Sequence, residues 1–322
     1  MKPETLNICQ VSLAGNIPII LKNIKNFENF YTNVFFYIIV PSKDLSLFKK
    51  KIKGKNVKFI SENDLIKFSK FKSISNVFLK KSTYFQLIQH RLTWYYQQIL
   101  KISFIIDFIN KNNQNIVIWD ADTVLLKKIK FFDGNKSFKY GTFFEFHKPY
   151  YITNQFILKK QPKYFISFLV QFIAITEREG TFILDELLKN FDNKDNVAKK
   201  ISALVLGSIF NQHKNYNGSL FSEYELLGQI NYLLKPVKQK SLLTLRYGLS
   251  GKLTKFQKVF CKILDFKHVT YEHSYQNKNS QGMLYRKQSW INLIRIFVKT
   301  LIKFYLRKIR HNLKYFYYYH IK

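Results

Sequence analysis

Asp120 and Asp122 stand two residues apart at the end of an apolar run, Asn115-Ile116-Val117-Ile118-Trp119-Asp120-Ala121-Asp122-Thr123-Val124-Leu125-Leu126. If the run is a strand, side chains at i and i+2 share a face, so both carboxylates point one way and Ala121 the other. Two carboxylates held that close repel unless something positive lies between them. Hard cations such as Mg2+ and Mn2+ take one or two carboxylates and complete their shell with waters and phosphate oxygens, so a nucleotide diphosphate fits as the third party. The plainer alternative is a solvated turn, where Asp is favoured for its local hydrogen bonds.

A second set of polar residues recurs at helical spacing. Residues 84–102 read as one helix, and Trp94, Gln98 and Lys101 fall at i, i+4 and i+7, with Arg91 about one turn earlier. Such a face would lay an amide and two cations beside a nucleotide. The aromatic residues on it are core by expectation, which leaves Arg91, Gln98 and Lys101 as donor-binding candidates.

The elements around these residues set where they stand. Residues 6–13 read as a first strand, residues 18–30 as a helix, and Val34 to Val40 as a buried strand closed by Pro41. Ser42 is placed to cap a short helix, and residues 57–60 read as a third strand. This βαβαβ order predicts an α/β fold with a mostly parallel, Rossmann-type sheet flanked by helices, in which ligands bind beyond the carboxyl ends of the strands. The aspartate pair sits at such an end.

Composition narrows the classes. The 322 residues carry 53 Lys+Arg against 20 Asp+Glu, a formal charge of +33. Only seven of the cations are Arg, and base readout and bidentate phosphate gripping lean on Arg, so the charge permits anions without pointing to nucleic-acid recognition. Cys9 and Cys261 are too few and too far apart for a disulfide framework or a zinc site, which fits a reducing compartment. The first residues show no charged-then-apolar leader, and no window offers 18 uncharged apolar residues, so the expectation is a cytoplasmic protein.

Four ordered segments, Trp94-Tyr95-Tyr96-Gln97-Gln98-Ile99-Leu100-Lys101, Trp119-Asp120-Ala121-Asp122-Thr123, Glu145-Phe146-His147-Lys148-Pro149-Tyr150 and Ser222-Glu223-Tyr224-Glu225-Leu226-Leu227-Gly228, resemble bacterial glycosyltransferases of the GT-A fold. More narrowly they resemble poorly characterised members from surface-polysaccharide loci, over roughly residues 5–280 by the order of the motifs. The resemblance implies that Asp120 and Asp122 match the D-x-D that holds Mn2+ or Mg2+ against the diphosphate of a nucleotide-sugar donor, with one acid, here Asp120, touching the ribose. It offers His273 as a late metal ligand. Residues 152–155 are less polar than the pattern leads one to expect.

For the acceptor side, Glu223 and Glu225 are the catalytic candidates. On a strand they would share a face. On a helix capped by Ser222, Glu225 falls at the third position and completes a capping box, which leaves Glu223 as the base for an acceptor hydroxyl. His147 reads as filling a polar niche.

The C-terminus is a separate unit. After Glu272 there is no acid, and Arg295, Lys299, Lys303 and Arg307 recur every four residues along a helix rich in Trp, Ile, Phe, Leu and Tyr. A basic amphipathic helix of this kind suits an anionic membrane surface. The division expected is a GT-A-like domain over 1–285 and a helical tail over 286–322. The expected activity is metal-dependent sugar transfer to a hydroxyl of a lipopolysaccharide- or capsule-type precursor. The acceptor would be a glycan or lipid-linked saccharide, met at the inner face of the cell membrane, with no nucleic acid as partner. The rivals are a basic nucleic-acid-binding protein and a non-catalytic membrane scaffold.

Overall fold

The structure, a computed structural model, describes residues 5–79, 89–141, 147–160, 167–189, 191, 196–212, 219–234, 240–245, 251–271 and 289–320. Its centre is a five-stranded sheet. Strands β1 (Leu6–Val11), β2 (Val34–Val40), β3 (Val57–Ser61) and β4 (Ile116–Trp119) run parallel in the order β3-β2-β1-β4. A short strand, β5 (Thr123–Leu125), follows outside the sheet, and β6 (Phe172–Ile175) closes the edge antiparallel to β4. The mostly parallel α/β sheet is the one the apolar runs predict.

Each face of the sheet buries its own cluster. On one face, α1 (Ile17–Phe30) and α2 (Leu45–Lys51) pack Ile17, Ile20, Phe27 and Phe48 against Ile8, Phe36, Val117 and Trp119. On the other, α3 (Leu92–Asn112), α4 (Lys148–Leu158), α5 (Glu177–Leu188), α6 (Val197–Gln212) and α7 (Glu223–Leu234) cover Cys9, Val11, Ile116 and Ile118. Odd and even residues of β4 divide between the two clusters, as strand alternation requires. Both cysteines are buried free thiols.

Three boundaries differ from the sequence reading. β1 stops at Val11 and turns through a 3-10 segment, Ala14–Asn16, before α1. Ser42 opens another 3-10 turn, Ser42–Asp44, and caps no helix with its side chain. Helix α3 runs ten residues past the expected end, to Asn112, where Asn113 takes a left-handed conformation (φ 48°) and its N–H closes on the Ile109 carbonyl. Its second half is buried on nearly every side, so no amphipathic period marks where it ends. Residues 80–88, including the start of the expected helix, lie outside the described residues.

A third, smaller cluster joins β5, β7 (His268–Thr270), α8 (Lys255–Ile263) and the first turns of α9 (Trp290–His320) through Val124, Val269, Cys261, Phe266, Leu293 and Phe297. Helix α8 begins with a capping box, Thr254 Oγ1 accepting from Gln257 N–H while Gln257 Oε1 accepts from Thr254 N–H. No helix among the described residues is long and apolar enough to cross a membrane.

Candidate functional site

The order β3-β2-β1-β4 reverses direction between β1 and β4, and a ligand crevice in such a sheet opens past the carboxyl ends of those two strands. Cys9 pairs with Ile118, so two residues on, Val11 is level with Asp120. Asp120 therefore stands at the mouth of the switch point, opposite the loop Ser12–Asn16. That loop leaves Leu13 exposed; nothing in the sequence reading singled it out.

The aspartate pair is not on a strand. β4 ends at Trp119, Asp120 N–H binds the Gln171 carbonyl, and Thr123 N–H returns to the Asp120 carbonyl at 3.1 Å, which makes residues 120–123 a turn. The turn is clamped from both sides. Trp119 Nε1 donates to the Thr123 carbonyl at 2.8 Å, and the fully buried Asn23 of α1 donates to the same carbonyl while its Oδ1 accepts from Leu125 N–H at 3.1 Å. On the far side Tyr271 N–H donates to the Asp122 carbonyl at 3.0 Å.

The cation beside Asp120 is a lysine. Lys101 Nζ, on α3, lies 2.5 Å from Asp120 Oδ1 and 2.5 Å from Glu223 Oε1, and donates to Tyr224 Oη at 3.3 Å. Tyr224 in turn donates to Asp120 Oδ1 at 2.6 Å, and its ring faces Lys101 with Nζ 4.7 Å from the centroid. Asp120 Oδ1 is thus pinned by two donors. Its Oδ2 has no hydrogen-bond partner among the described residues, and the side chain is 24% exposed.

Electrostatics explain why a lysine tolerates this burial. Desolvation pulls the Lys101 ammonium down, but the charges and hydrogen bonds of Asp120 and Glu223 outweigh it and hold it above the usual lysine range. Lys139 makes the contrast. It is equally buried but faces one carboxylate, Glu179, at 3.0 Å, and desolvation leaves it below the usual range. Burial pushes the Glu223 carboxyl up, against the opposing pull of Lys101. Burial, then the neighbouring charges of Asp120 and Glu223, lift the Tyr224 hydroxyl well above its usual value, so it stays a donor.

The other candidates fall into place around this cluster. Gln98 is buried and accepts the Glu223 N–H at 3.0 Å through Oε1. Gln98 and Lys101, the expected donor-binding residues, both contact Glu223 at the start of α7. Arg91 is the N-cap residue of α3 and partly exposed. Glu223 and Glu225 open α7, a helix and not a strand, and Ser222 Oγ accepts from Glu225 N–H at 3.5 Å. The Glu225 carboxylate, fully buried, accepts from the Ser167 hydroxyl and from Phe168 N–H at 3.2 Å. His147 fills the niche expected of it, with Nε2 2.6 Å from the Ser219 carbonyl, and burial lowers its pKa. His273 and Glu145 lie outside the described residues.

Tyr224 and Asn23 escaped the sequence reading. The only signal for Tyr224 was its place between two glutamates already singled out, and Asn23 sits unmarked in the middle of α1.

No family model and no curated protein sequence matches the chain. Among solved structures it is similar to the PaToxG glycosyltransferase, at 14% identity and TM-score 0.30 over 66% of this chain and 70% of that one. It is similar to an active-site mutant of LgtC, at 8% identity and TM-score 0.43 over 91% and 96%. It is also similar to apo mouse xyloside xylosyltransferase 1, at 8% identity and TM-score 0.37 over 88% and 95%. Overlays this loose leave the chemistry to be argued from the residues themselves.

Proposed function

We propose that this protein is a metal-dependent glycosyltransferase of the GT-A type, moving a sugar from a nucleotide-sugar donor to a hydroxyl of a cell-surface glycan precursor. One observation carries the reading: at the switch point of the sheet, Asp120 has one carboxylate oxygen fixed by Lys101 and Tyr224 and the other open, with Asp122 in the same turn.

The residues fit a hard divalent cation. Among the described residues no three His, Cys, Asp or Glu side chains gather into a ready-made cage. Mg2+ and Mn2+ need none, because one or two carboxylates suffice when waters and substrate phosphates supply the remaining oxygens. Asp120 and Asp122 would hold the ion, which supplies electrophilic stabilisation of the charge developing on the leaving diphosphate. His273, offered by the family resemblance as a further ligand, is tested by the same assay as a His273→Ala variant. Lys101 and Tyr224 keep Asp120 in one orientation, and Glu223, its N–H held by Gln98, keeps Lys101 in place, so the carboxylate is preorganised before any donor arrives. The loop Ser12–Asn16 borders the same crevice, and the exposed Leu13 gives it an apolar edge for the nucleoside. On this reading the acceptor is a glycan or lipid-linked saccharide met at the inner membrane face, which the basic face of α9 would approach.

Calorimetric titration of UDP and GDP, with and without Mn2+, into the full chain and into an Asp120→Asn, Asp122→Asn variant tests the proposal. Metal-dependent binding that the variant loses is the expected result. Absence of binding to either nucleotide at millimolar concentration overturns it.

A further inference from the structure

Away from the site, α8 exposes more apolar surface than its nine residues need for packing. Phe256 is 69% exposed, Val259 53%, Phe260 37% and Ile263 74%, and their spacing of three and four residues puts them on one side of the helix. Gln257 and Cys261 face inward. The outward face is continuous with α9. Phe256 meets Trp290 with ring centroids 5.7 Å apart, Phe260 meets Phe297 at 5.4 Å, and beyond them Ile291, Ile294, Val298, Ile302 and Ile309 form an exposed stripe. That stripe runs about 27 Å along the helix.

Charge says what covers this surface. Neither α8 nor α9 contains an acid, while Lys255, Lys258 and Lys262 lie on one and Arg295, Lys299 and Lys303 flank the stripe on the other. Lys255 and Lys262 are exposed and border the apolar face of α8.

We propose that α8 is a membrane-docking element in its own right: Phe256, Val259, Phe260 and Ile263 enter the headgroup region of an anionic bilayer, and Lys255 and Lys262 beside them, with Arg295, Lys299 and Lys303 of α9, are drawn to its negative charge. With α9 alone the protein would be free to roll about one helix axis. Two helices joined at Phe256 and Trp290 define a plane and fix the orientation of the domain on the surface. The inference extends the membrane reading of α9 and involves no nucleotide, so it stands or falls separately from the transferase reading.

Co-sedimentation of the full chain with vesicles tests it, comparing pure phosphatidylcholine with phosphatidylcholine containing phosphatidylglycerol. Expected is strong partition to the anionic vesicles only. A Val259→Ser, Ile263→Ser variant should lose at least tenfold in partition, and a Lys255→Gln, Lys262→Gln variant severalfold, with the far-UV circular dichroism and Tm of the parent as the folding control. All four positions are exposed, and the Phe256–Trp290 and Phe260–Phe297 contacts with α9 are left in place. Partition of the α8 variant equal to that of the parent overturns the proposal, as does equal binding of the parent to neutral and anionic vesicles. A dimer that the α8 substitutions convert to monomer without changing partition would assign the face to a second copy of the chain, and also overturns it.

Discussion

Replacing Lys101 by Met keeps most of the stem volume and removes the ammonium, leaving Asp120 and Glu223 side by side with no cation between them. Removing one partner of a buried ion pair costs about 3–5 kcal/mol. A chain of 322 residues unfolds with an entropy of roughly 0.7 kcal/mol/K, so Tm should fall by about 4–7 °C at pH 8. The pH dependence follows from Glu223, whose folded pKa is already raised by burial and rises further once Lys101 no longer opposes that shift. A carboxyl with a raised folded pKa favours the fold below its unfolded pKa and loses that contribution as pH climbs through the folded one. The gap between variant and parent must therefore narrow from pH 8 to pH 5. Differential scanning calorimetry at both pH values measures it. A variant within about 1 °C of the parent at pH 8, or a gap that widens on acidification, refutes the charge balance drawn for this cluster.

Three further outcomes are expected. Asn23→Ala removes one of the two donors to the buried Thr123 carbonyl and the side-chain acceptor of Leu125 N–H, and should cost about 1–3 kcal/mol by denaturant unfolding; donor affinity should fall with it, because the turn bearing Asp122 loosens. A Cβ at Gly228 would run into the buried Phe168 ring, whereas one at Gly180 meets the flexible Cδ1 end of Ile109. Gly228→Ala should thus destabilise by about 1–3 kcal/mol and Gly180→Ala by clearly less, in the same assay. Lys22→Gln should raise Tm at pH 6 more than at pH 9: burial first, and then the charges of Lys258 and Lys252, lower the folded pKa of Lys22 to about 7, so its charge burdens the fold most when it is protonated in both states.

What was legible in the chain was what local pattern encodes. The apolar run of β4 ends in two acids, so both the strand and the position of Asp120 at its carboxyl end can be read directly, as can the β1-to-β3 rhythm. The partner of Asp120 could not be. Lys101 looked like the polar face of an amphipathic helix because Gln98 and Lys101 fall at helical spacing, yet α3 is wrapped by protein on nearly all sides and those residues face α7. The contact joins positions 122 apart, and no periodicity records a pairing at that separation. The surroundings of Glu223 were hidden for the same reason: its carboxylate meets the Lys101 ammonium and its N–H the Gln98 amide, neither near it in sequence. Helix α8 was missed although Thr254 and Gln257 spell a capping box, because an apolar stripe facing solvent resembles the inward stripe of any other helix.

The lysine under Asp120 also bears on how a metal and a donor would bind. An ammonium 2.5 Å from Asp120 Oδ1 fixes the carboxylate but withdraws charge from it, so Asp120 is a weaker cation ligand than a free aspartate. With a second carboxylate as the only other described acid in the turn, the protein offers a divalent ion an incomplete shell. The missing negative charge is what a diphosphate carries. Metal and nucleotide should then bind with positive coupling: Mn2+ alone weakly, and UDP markedly tighter in its presence, with the same factor recovered when the order of addition is reversed. Titrations of each component with the other absent and saturating give both factors. In Lys101→Met the freed carboxylate should bind Mn2+ more tightly without nucleotide and the coupling should shrink. Unchanged Mn2+ affinity in that variant would show that Lys101 and the ion do not share Asp120.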